Sequence, residues 1–233
     1  MGDRIAIVTG AGRGIGRATA VELSARGFQL ALVSRSADEL SATAGMCKTK
    51  AKPFICDVSD PASVDQMIEA VLNSFGGVNA LVHCAGFVVM RAIDALTVEE
   101  WRSILDTNLS SVFYLCRRLW PVWRDNGGGV IVNVSSQAAR DPFAGLSAYG
   151  AAKAGVNLLG LALSREGAKI GVRVHTVAPA ATETAMLRSI ISKEQVPTEN
   201  ALDPAAVARV IVQCVSGDLD CTSGEVIYVR KYA

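Results

Sequence analysis

Thr9-Gly10-Ala11-Gly12-Arg13-Gly14-Ile15-Gly16 is the stretch that decides the fold. It follows the apolar run Ile5-Ala6-Ile7-Val8 and leads at once into an amphipathic, helix-periodic segment over residues 14–26. Glycines let the backbone turn tightly and pass close to a pyrophosphate. A helix that starts there offers free N–H groups and the positive end of its dipole. A glycine-rich turn alone would serve any tight connection. Its value here comes from the strand before it and the helix after it. No Gly-Lys-Ser/Thr ending follows, which disfavours a P-loop nucleotidase.

On both sides of this turn, short apolar runs alternate with helical stretches. The runs cover residues 4–8, 29–33, 53–56, 80–84, 130–134, 173–178 and 225–229. Most are near-continuous, as expected of parallel strands covered on both faces. Helices are expected over residues 14–26, 62–75, 109–124, 148–169 and 205–215. Asp60-Pro61 and Asp203-Pro204 can cap and open helices, while Gly76-Gly77 and Gly127-Gly128-Gly129 can close them. The alternation implies βαβ units with right-handed crossovers. The expected fold is α/β: a single doubly wound Rossmann domain over residues 1–233, with a seven-stranded parallel sheet flanked by helices. Residues 182–200 are the least patterned and read as a lid. There is no internal repeat, low-complexity tract or linker.

Composition narrows the function classes. Lys plus Arg (23) nearly balances Asp plus Glu (22), which argues against a nucleic-acid partner. Half of the residues are hydrophobic, yet no apolar run approaches the length of a membrane span. Met1-Gly2-Asp3-Arg4 runs straight into the first strand, so no secretory signal is expected. Ala6 breaks the myristoylation pattern that Gly2 opens. The six cysteines include no C-x-x-C pair, and only His83 and His175 are present. No metal site or disulfide framework is therefore expected, and a reducing cytoplasm fits.

The three-residue gap Gly10-x-x-x-Gly14-x-Gly16 resembles the fingerprint of the short-chain dehydrogenase/reductase family, within which the chain is similar to 3-oxoacyl-carrier reductases. That resemblance implies a dinucleotide held by Gly10, Gly12, Arg13, Gly14, Ile15 and Gly16. The second strand ends in Ser34-Arg35-Ser36, where an NAD site usually has an acid. Ser34 and Arg35 can bind a 2′-phosphate, with Arg13 as a second base, so NADP(H) is the expected cofactor. The alternative is that both arginines are ordinary surface charges. Asp57, followed by Val58, stands where relatives contact the adenine amino group, though an Asp there can equally cap a turn.

Tyr149 and Lys153 are four residues apart, which puts them on one helix face about 5–6 Å apart at Cβ. A free tyrosine, with a pKa of about 10, is a poor acid/base at neutral pH. A neighbouring ammonium would lower it by favouring phenolate. Alone, the Y-x-x-x-K spacing is common. Its weight comes from Ser136, which closes Val132-Asn133-Val134-Ser135-Ser136 thirteen residues earlier and delivers a hydroxyl to the carboxyl edge of the sheet. Ser135 is the neighbouring alternative. The resemblance implies that Ser136 polarises the substrate oxygen and that Asn108, in Asp106-Thr107-Asn108-Leu109, serves a proton relay through Lys153. It also implies that Pro179 and Thr184 in Pro179-Ala180-Ala181-Thr182-Glu183-Thr184 meet the nicotinamide, as do Ala85 and Gly86 after the fourth strand. The expected catalytic set is Asn108, Ser136, Tyr149 and Lys153.

Two segments depart from the family pattern. His83-Cys84 replaces an Asn-Asn pair, and Ala180 replaces a glycine, where a positive φ would be strained. The expected activity is interconversion of a small-molecule ketone or aldehyde with an alcohol, reduction being the physiological direction. The alternative is a non-catalytic NADP(H)-binding sensor. A serine hydrolase is disfavoured because Gly145-Leu146-Ser147-Ala148-Tyr149-Gly150 misses the nucleophile elbow by one residue. A methyltransferase has no use for the Tyr–Lys–Ser–Asn set. Residues 87–90, 137–143 and 185–191 are expected to wall an apolar pocket, with Arg140 and Asp141 as polar anchors. Arg124 and Lys169 make at most a sparse basic patch for a carrier. The family also implies a homo-oligomer, dimer or tetramer, built on helices 109–124 and 148–169, with Trp120 and Trp123 suited to the interface.

Overall fold

The computed structural model describes residues 4–231, so the Met1-Gly2 readings lie outside the described residues. Seven strands, β1 (Ile5–Thr9), β2 (Gln29–Ser34), β3 (Ala51–Ile55), β4 (Ala80–His83), β5 (Gly129–Val134), β6 (Val172–Pro179) and β7 (Val226–Val229), form one sheet. Their order is β3-β2-β1-β4-β5-β6-β7 and every pairing is parallel. The order reverses between β1 and β4, and at that switch point the loops diverge and open a crevice at the carboxyl edge. Pro53 is accommodated because β3 lies at the edge of the sheet, where a missing N–H disrupts no inner ladder.

Alternate strand residues divide the core in two. Ala6, Val8, Leu30, Leu32 and Val132 face helices α1 (Gly14–Ala25) and α8 (Pro204–Ser216), where Leu23, Ile211 and Val212 pack on them. On the other face Ile7, Val33, Leu81 and Ile131 meet α3 (Pro61–Phe75), α5 (Ser111–Asn126) and α6 (Ser147–Gly167) through Ile68, Leu115, Leu119 and Val156. Helix ends follow local chemistry. Asp60 and Asp203 accept from the first free N–H groups ahead of Pro61 and Pro204, and Gly76 and Gly127 close helices with φ of 80° and 79°.

Three further helices, α2 (Ala37–Met46), α4 (Val98–Leu105) and the short α7 (Ala185–Arg188), were not expected from the apolar pattern. The first two bury few side chains: Leu40 and Thr43 on α2, and Ile104 on α4. Their starts are fixed by capping at Ser36 and Thr97 instead. The expected helix from residue 109 begins instead at Ser111, after a π-helical turn over Asp106–Ser110. Trp123 corrects the interface expectation: it is fully buried, with Nε1 donating to Val78 O at 3.0 Å. The large hydrophobic side chains that α5 and α6 do leave exposed are Phe113 and Leu158. Ala180 is unstrained, because positive φ occurs only at glycines among the described residues. Among the described residues no helix is long and apolar enough to cross a membrane.

Candidate active site

The carboxyl edge of the sheet holds a cavity of about 680 Å³ that spans the β1/β4 switch point. At its floor the turn after β1 is shaped by what a side chain would meet. A Cβ on Gly10 (φ 63°) would stand 2.9 Å from Ala85 N, and one on Gly16 would stand 2.2 Å from Gly10 O. Gly14 has a φ of 55°, in the left-handed region. The α1 N-terminus behind the turn has no side-chain cap, whereas α2, α3, α4 and α8 all do. Backbone that no Cβ could enter, ending on uncapped helix N–H groups, is a cradle that fits a dinucleotide pyrophosphate.

The other expected cofactor contacts border the same cavity. Ile15, Arg13, Ser34, Arg35, Asp57, Val58, Ala85, Gly86, Pro179 and Thr184 all line it. Thr9 Oγ1 accepts from Ala85 N at 3.1 Å and so ties the β4 loop to β1. Both arginines face carboxylates: Arg13 lies 3.8 Å from Glu39 and Arg35 lies 3.8 Å from Asp57. Asp57 also accepts from Ser59 N at 3.0 Å and from Ser59 Oγ at 2.6 Å. These Ser59 bonds, ahead of Arg35, hold its carboxyl below the usual range. The turn-capping role weighed for Asp57 is therefore present, and its other oxygen faces Arg35.

At the opposite end of the cavity Ser136, Tyr149 and Lys153 converge. Ser136 leaves β5 extended and accepts from Ala138 N at 3.1 Å, which orients its hydroxyl. Tyr149 and Lys153 share a face of α6, with Nζ 5.7 Å from the Tyr149 ring centroid. Nζ donates to Val134 O at 2.9 Å. Burial pushes Lys153 down to about 8, and the nearby Cys84 pulls weakly the other way. Tyr149 corrects the expectation of an acidified phenol. Burial pushes it up to about 12 against the hydrogen bond with Ser136. The ammonium that would favour phenolate spends its bond on the Val134 carbonyl and not on the phenol.

Asn108 is the one expected catalytic residue that does not line the cavity. It is fully buried in the π-helical turn. Its Nδ2 donates to Phe87 O at 2.7 Å and Ile104 O at 2.9 Å, while Oδ1 accepts from Phe87 N at 3.3 Å. The wider turn aims this amide at the β4 loop. A Cβ on Gly86 would stand 3.1 Å from Asn108 Oδ1 and 3.8 Å from Lys153 Nζ, so the two side chains flank the same glycine. Beside them His83 is buried, with Nε2 2.8 Å from Ser111 Oγ. That hydroxyl donates to Thr107 O at 2.7 Å, which assigns Nε2 as the donor to Ser111 Oγ. Burial, then the charge of Lys153, pushes His83 down to about 3. Cys84 is pushed up to about 12 by burial and stays a thiol.

The expected substrate walls are partly realised. Val88, Asp141, Phe143, Met186, Leu187 and Ile190 line the cavity as expected, joined by Leu146, whereas Phe87, Met90 and Arg140 do not. Arg140 belongs to an adjoining recess, with its guanidinium 5.7 Å from the Tyr228 ring centroid. The segment after β6 is held by Arg188, which pairs with Glu183 and donates to Ser192 O at 3.1 Å and Val196 O at 2.8 Å. Glu39 was missed from sequence although it lines the cofactor end. The signal was Ser36-x-x-Glu39, a cap-and-acid spacing that starts a helix and turns its first-turn acid back toward the glycine loop.

This arrangement agrees with comparisons to known proteins. A family model described as short chain dehydrogenase matches residues 4–195. The chain is 33% identical to the 3-oxoacyl-(acyl-carrier-protein) reductase FabG of Escherichia coli K12, over 97% of this chain and 96% of that protein. Among solved structures, levodione reductase superposes with a TM-score of 0.91 at 26% identity, covering 99% of this chain and 97% of that one. A single-substitution variant of actinorhodin polyketide ketoreductase, solved with NADPH, superposes with a TM-score of 0.90 at 26% identity, covering 99% and 98%. The cradle, the Ser–Tyr–Lys convergence and the extent of these matches make this chain a member of the short chain dehydrogenase family.

Proposed function

We propose that the chain is an NADP(H)-dependent oxidoreductase, one domain in extent, that interconverts a ketone or aldehyde with an alcohol. The observation that carries this reading is the convergence of Ser136, Tyr149 and Lys153 at the far end of a pyrophosphate cradle. The bound cofactor supplies or accepts the hydride. Tyr149 Oη gives its proton to the substrate oxygen in reduction and takes it back in oxidation. Burial keeps that phenol protonated at neutral pH, as a general acid for reduction must be. Ser136 Oγ donates a hydrogen bond to the same oxygen. Lys153 holds the proton balance beside Tyr149, and Asn108 keeps the Phe87 backbone and the π-turn where Lys153 needs them. NADP(H) is favoured over NAD(H) by Arg13 and Arg35 and by the absence of an acid at the end of β2.

The substrate is a small apolar carbonyl compound, matched to Val88, Phe143, Leu146, Met186 and Ile190. Self-association uses the outer faces of α5 and α6 around Phe113 and Leu158, and light scattering reads it directly. Activity is tested by NADPH oxidation over ketones, diketones, 3-oxoacyl thioesters, quinones and sugars, with Tyr149→Phe run in parallel. Turnover that falls about 10²–10⁴-fold in the variant while NADPH binding persists supports the assignment. Wild-type protein that binds NADPH but turns over nothing on the panel contradicts it.

A further inference from the structure

β4 ends on a side chain that leaves the sheet and enters the turn carrying Asn108. The register neighbour of His83 on β5 is Asn133, which is fully buried, and its amide has no hydrogen-bond partner among the described residues. The His83 imidazole therefore does not brace the sheet sideways. It crosses to the first residue of α5, where Nε2 donates to Ser111 Oγ at 2.8 Å. Ser111 also closes the π-helical turn Asp106–Ser110. In an α-helix the Ser111 N–H would bond Thr107 O, four residues back. Here it bonds Asp106 O, five residues back, and Thr107 O is taken by the Ser111 hydroxyl at 2.7 Å. A serine hydroxyl has one proton to give. With that proton on Thr107 O, the hydroxyl accepts from His83, and the two bonds run one way, from imidazole to hydroxyl to the displaced carbonyl.

The turn held in this way carries two groups of the site. Thr107 lines the cavity. Asn108 clamps the Phe87 backbone, and its Oδ1 flanks Gly86 together with Lys153 Nζ. Re-pairing of Ser111 N–H with Thr107 O would rotate both residues about the helix axis, by up to about 100° for one residue of pairing, and would pull Asn108 off Phe87. We infer that His83 is a positioning residue for the reaction: through Ser111 it holds the π-helical turn in the pairing that puts Thr107 in the cavity wall and Asn108 against the loop beside Lys153. The inference rests on the oxidoreductase reading of the cavity. It gives His83 no contact with substrate or cofactor, because neither His83 nor Ser111 lines the cavity.

Three variants test it. His83→Leu removes the donor at similar bulk, His83→Gln keeps an N–H at a reach close to that of Nε2, and Ser111→Ala removes the middle of the chain. Each is measured for NADPH affinity and for kcat on a carbonyl compound that wild type reduces, with kcat expressed per NADPH-binding site found by titration. The expected result is a kcat per site about tenfold lower in His83→Leu and in Ser111→Ala, with NADPH Kd within about threefold of wild type because the glycine cradle lies apart from the turn. His83→Gln should stay within about threefold of wild type, and the double variant His83→Leu/Ser111→Ala should be no slower than the slower single one. A merely structural role would reduce the number of binding sites and leave kcat per site unchanged. That result, or an equal loss in the Gln and Leu variants, overturns the inference. Hydrogen exchange gives a readout apart from activity: amides of residues 106–112 should exchange at least about tenfold faster in His83→Leu while those of β1 and β5 keep their protection. A wild type that binds NADPH but reduces nothing refutes the oxidoreductase reading and, with it, the catalytic part of the inference. Exchange then judges the hold on the turn alone, and unchanged exchange there overturns it.

Discussion

Replacing His83 by Asn makes the protein more tolerant of acid. His83 is 1% exposed at the end of β4, and its Nε2–H donates to Ser111 Oγ. Burial, reinforced by the charge of Lys153, pushes it down to about 3 from an ordinary value of 6.5. The folded protein therefore refuses a proton that the unfolded chain accepts at about 6.5. The stability tied to neutral His83 is complete above pH 6.5. It is lost progressively as pH falls below that value, and the loss stops growing near pH 3. At pH 4.5 the gap is two pH units, so the loss is about 2–3 kcal/mol. Asparagine keeps a donor for Ser111 and has no charge to acquire. Urea unfolding of both proteins at pH 7.5 and pH 4.5 isolates the effect, because carboxylates shared by the two proteins cancel in the difference. Wild type should lose about 2–3 kcal/mol more than the variant between the two pH values. Equal losses within about 0.5 kcal/mol would show that His83 is charged, or solvated, in the fold and would refute the argument.

Other substitutions probe the backbone around the site. Gly10→Ala drives a methyl to 2.9 Å from Ala85 N at a φ of 63°, so calorimetry should show NADPH affinity falling at least about tenfold and Tm falling with it. Asn108→Ala leaves the Phe87 carbonyl and N–H without their partners and should cost about 1–3 kcal/mol in denaturant unfolding. Unchanged stability would mean that water replaces the amide fully. Arg188→Met removes the tie between Glu183, Ser192 and Val196, and hydrogen exchange over residues 186–196 should accelerate by about tenfold or more while the β-sheet amides stay protected.

How much of this was legible in the sequence depended on whether a residue's role is written in backbone geometry or in environment. The inner strands were legible because parallel strands buried on both faces need continuous apolar runs, and β1, β2, β4, β5 and β6 have them, whereas the edge strands β3 and β7 are only partly buried. The glycine turn was legible because no other residue could occupy Gly10 or Gly16. Helix α2 was illegible because it buries only Leu40 and Thr43, whereas α4 carries the helical spacing Val98, Trp101, Ile104 and Leu105 but is only eight residues long and leaves the first two exposed. Glu39 went with α2: an acid five residues past the strand end counts toward a cofactor site only if the intervening chain turns back, and Ser36 capping makes it do so. The π-helical turn left no periodic trace either, since one extra residue in a turn changes hydrogen bonding and not composition.

The departures from the family pattern are better judged by the bonds they make than by their identity. Ala180 needs no glycine, because its φ is not positive and its N–H is taken by Val229 O at 2.8 Å. Cys84, neutral and half-buried beside Lys153, offers no amide, and the strand-end polar contact falls instead to His83 through Ser111. That substitution moves a titratable ring to within electrostatic reach of Lys153. An asparagine there would be indifferent to pH, whereas protonating His83 would set a second charge beside the ammonium. Lys153, at about 8, stays protonated throughout the acid range, so acid acts through this imidazole on the fold, and the low-pH loss of activity in wild type should follow unfolding and move with it to lower pH in His83→Asn.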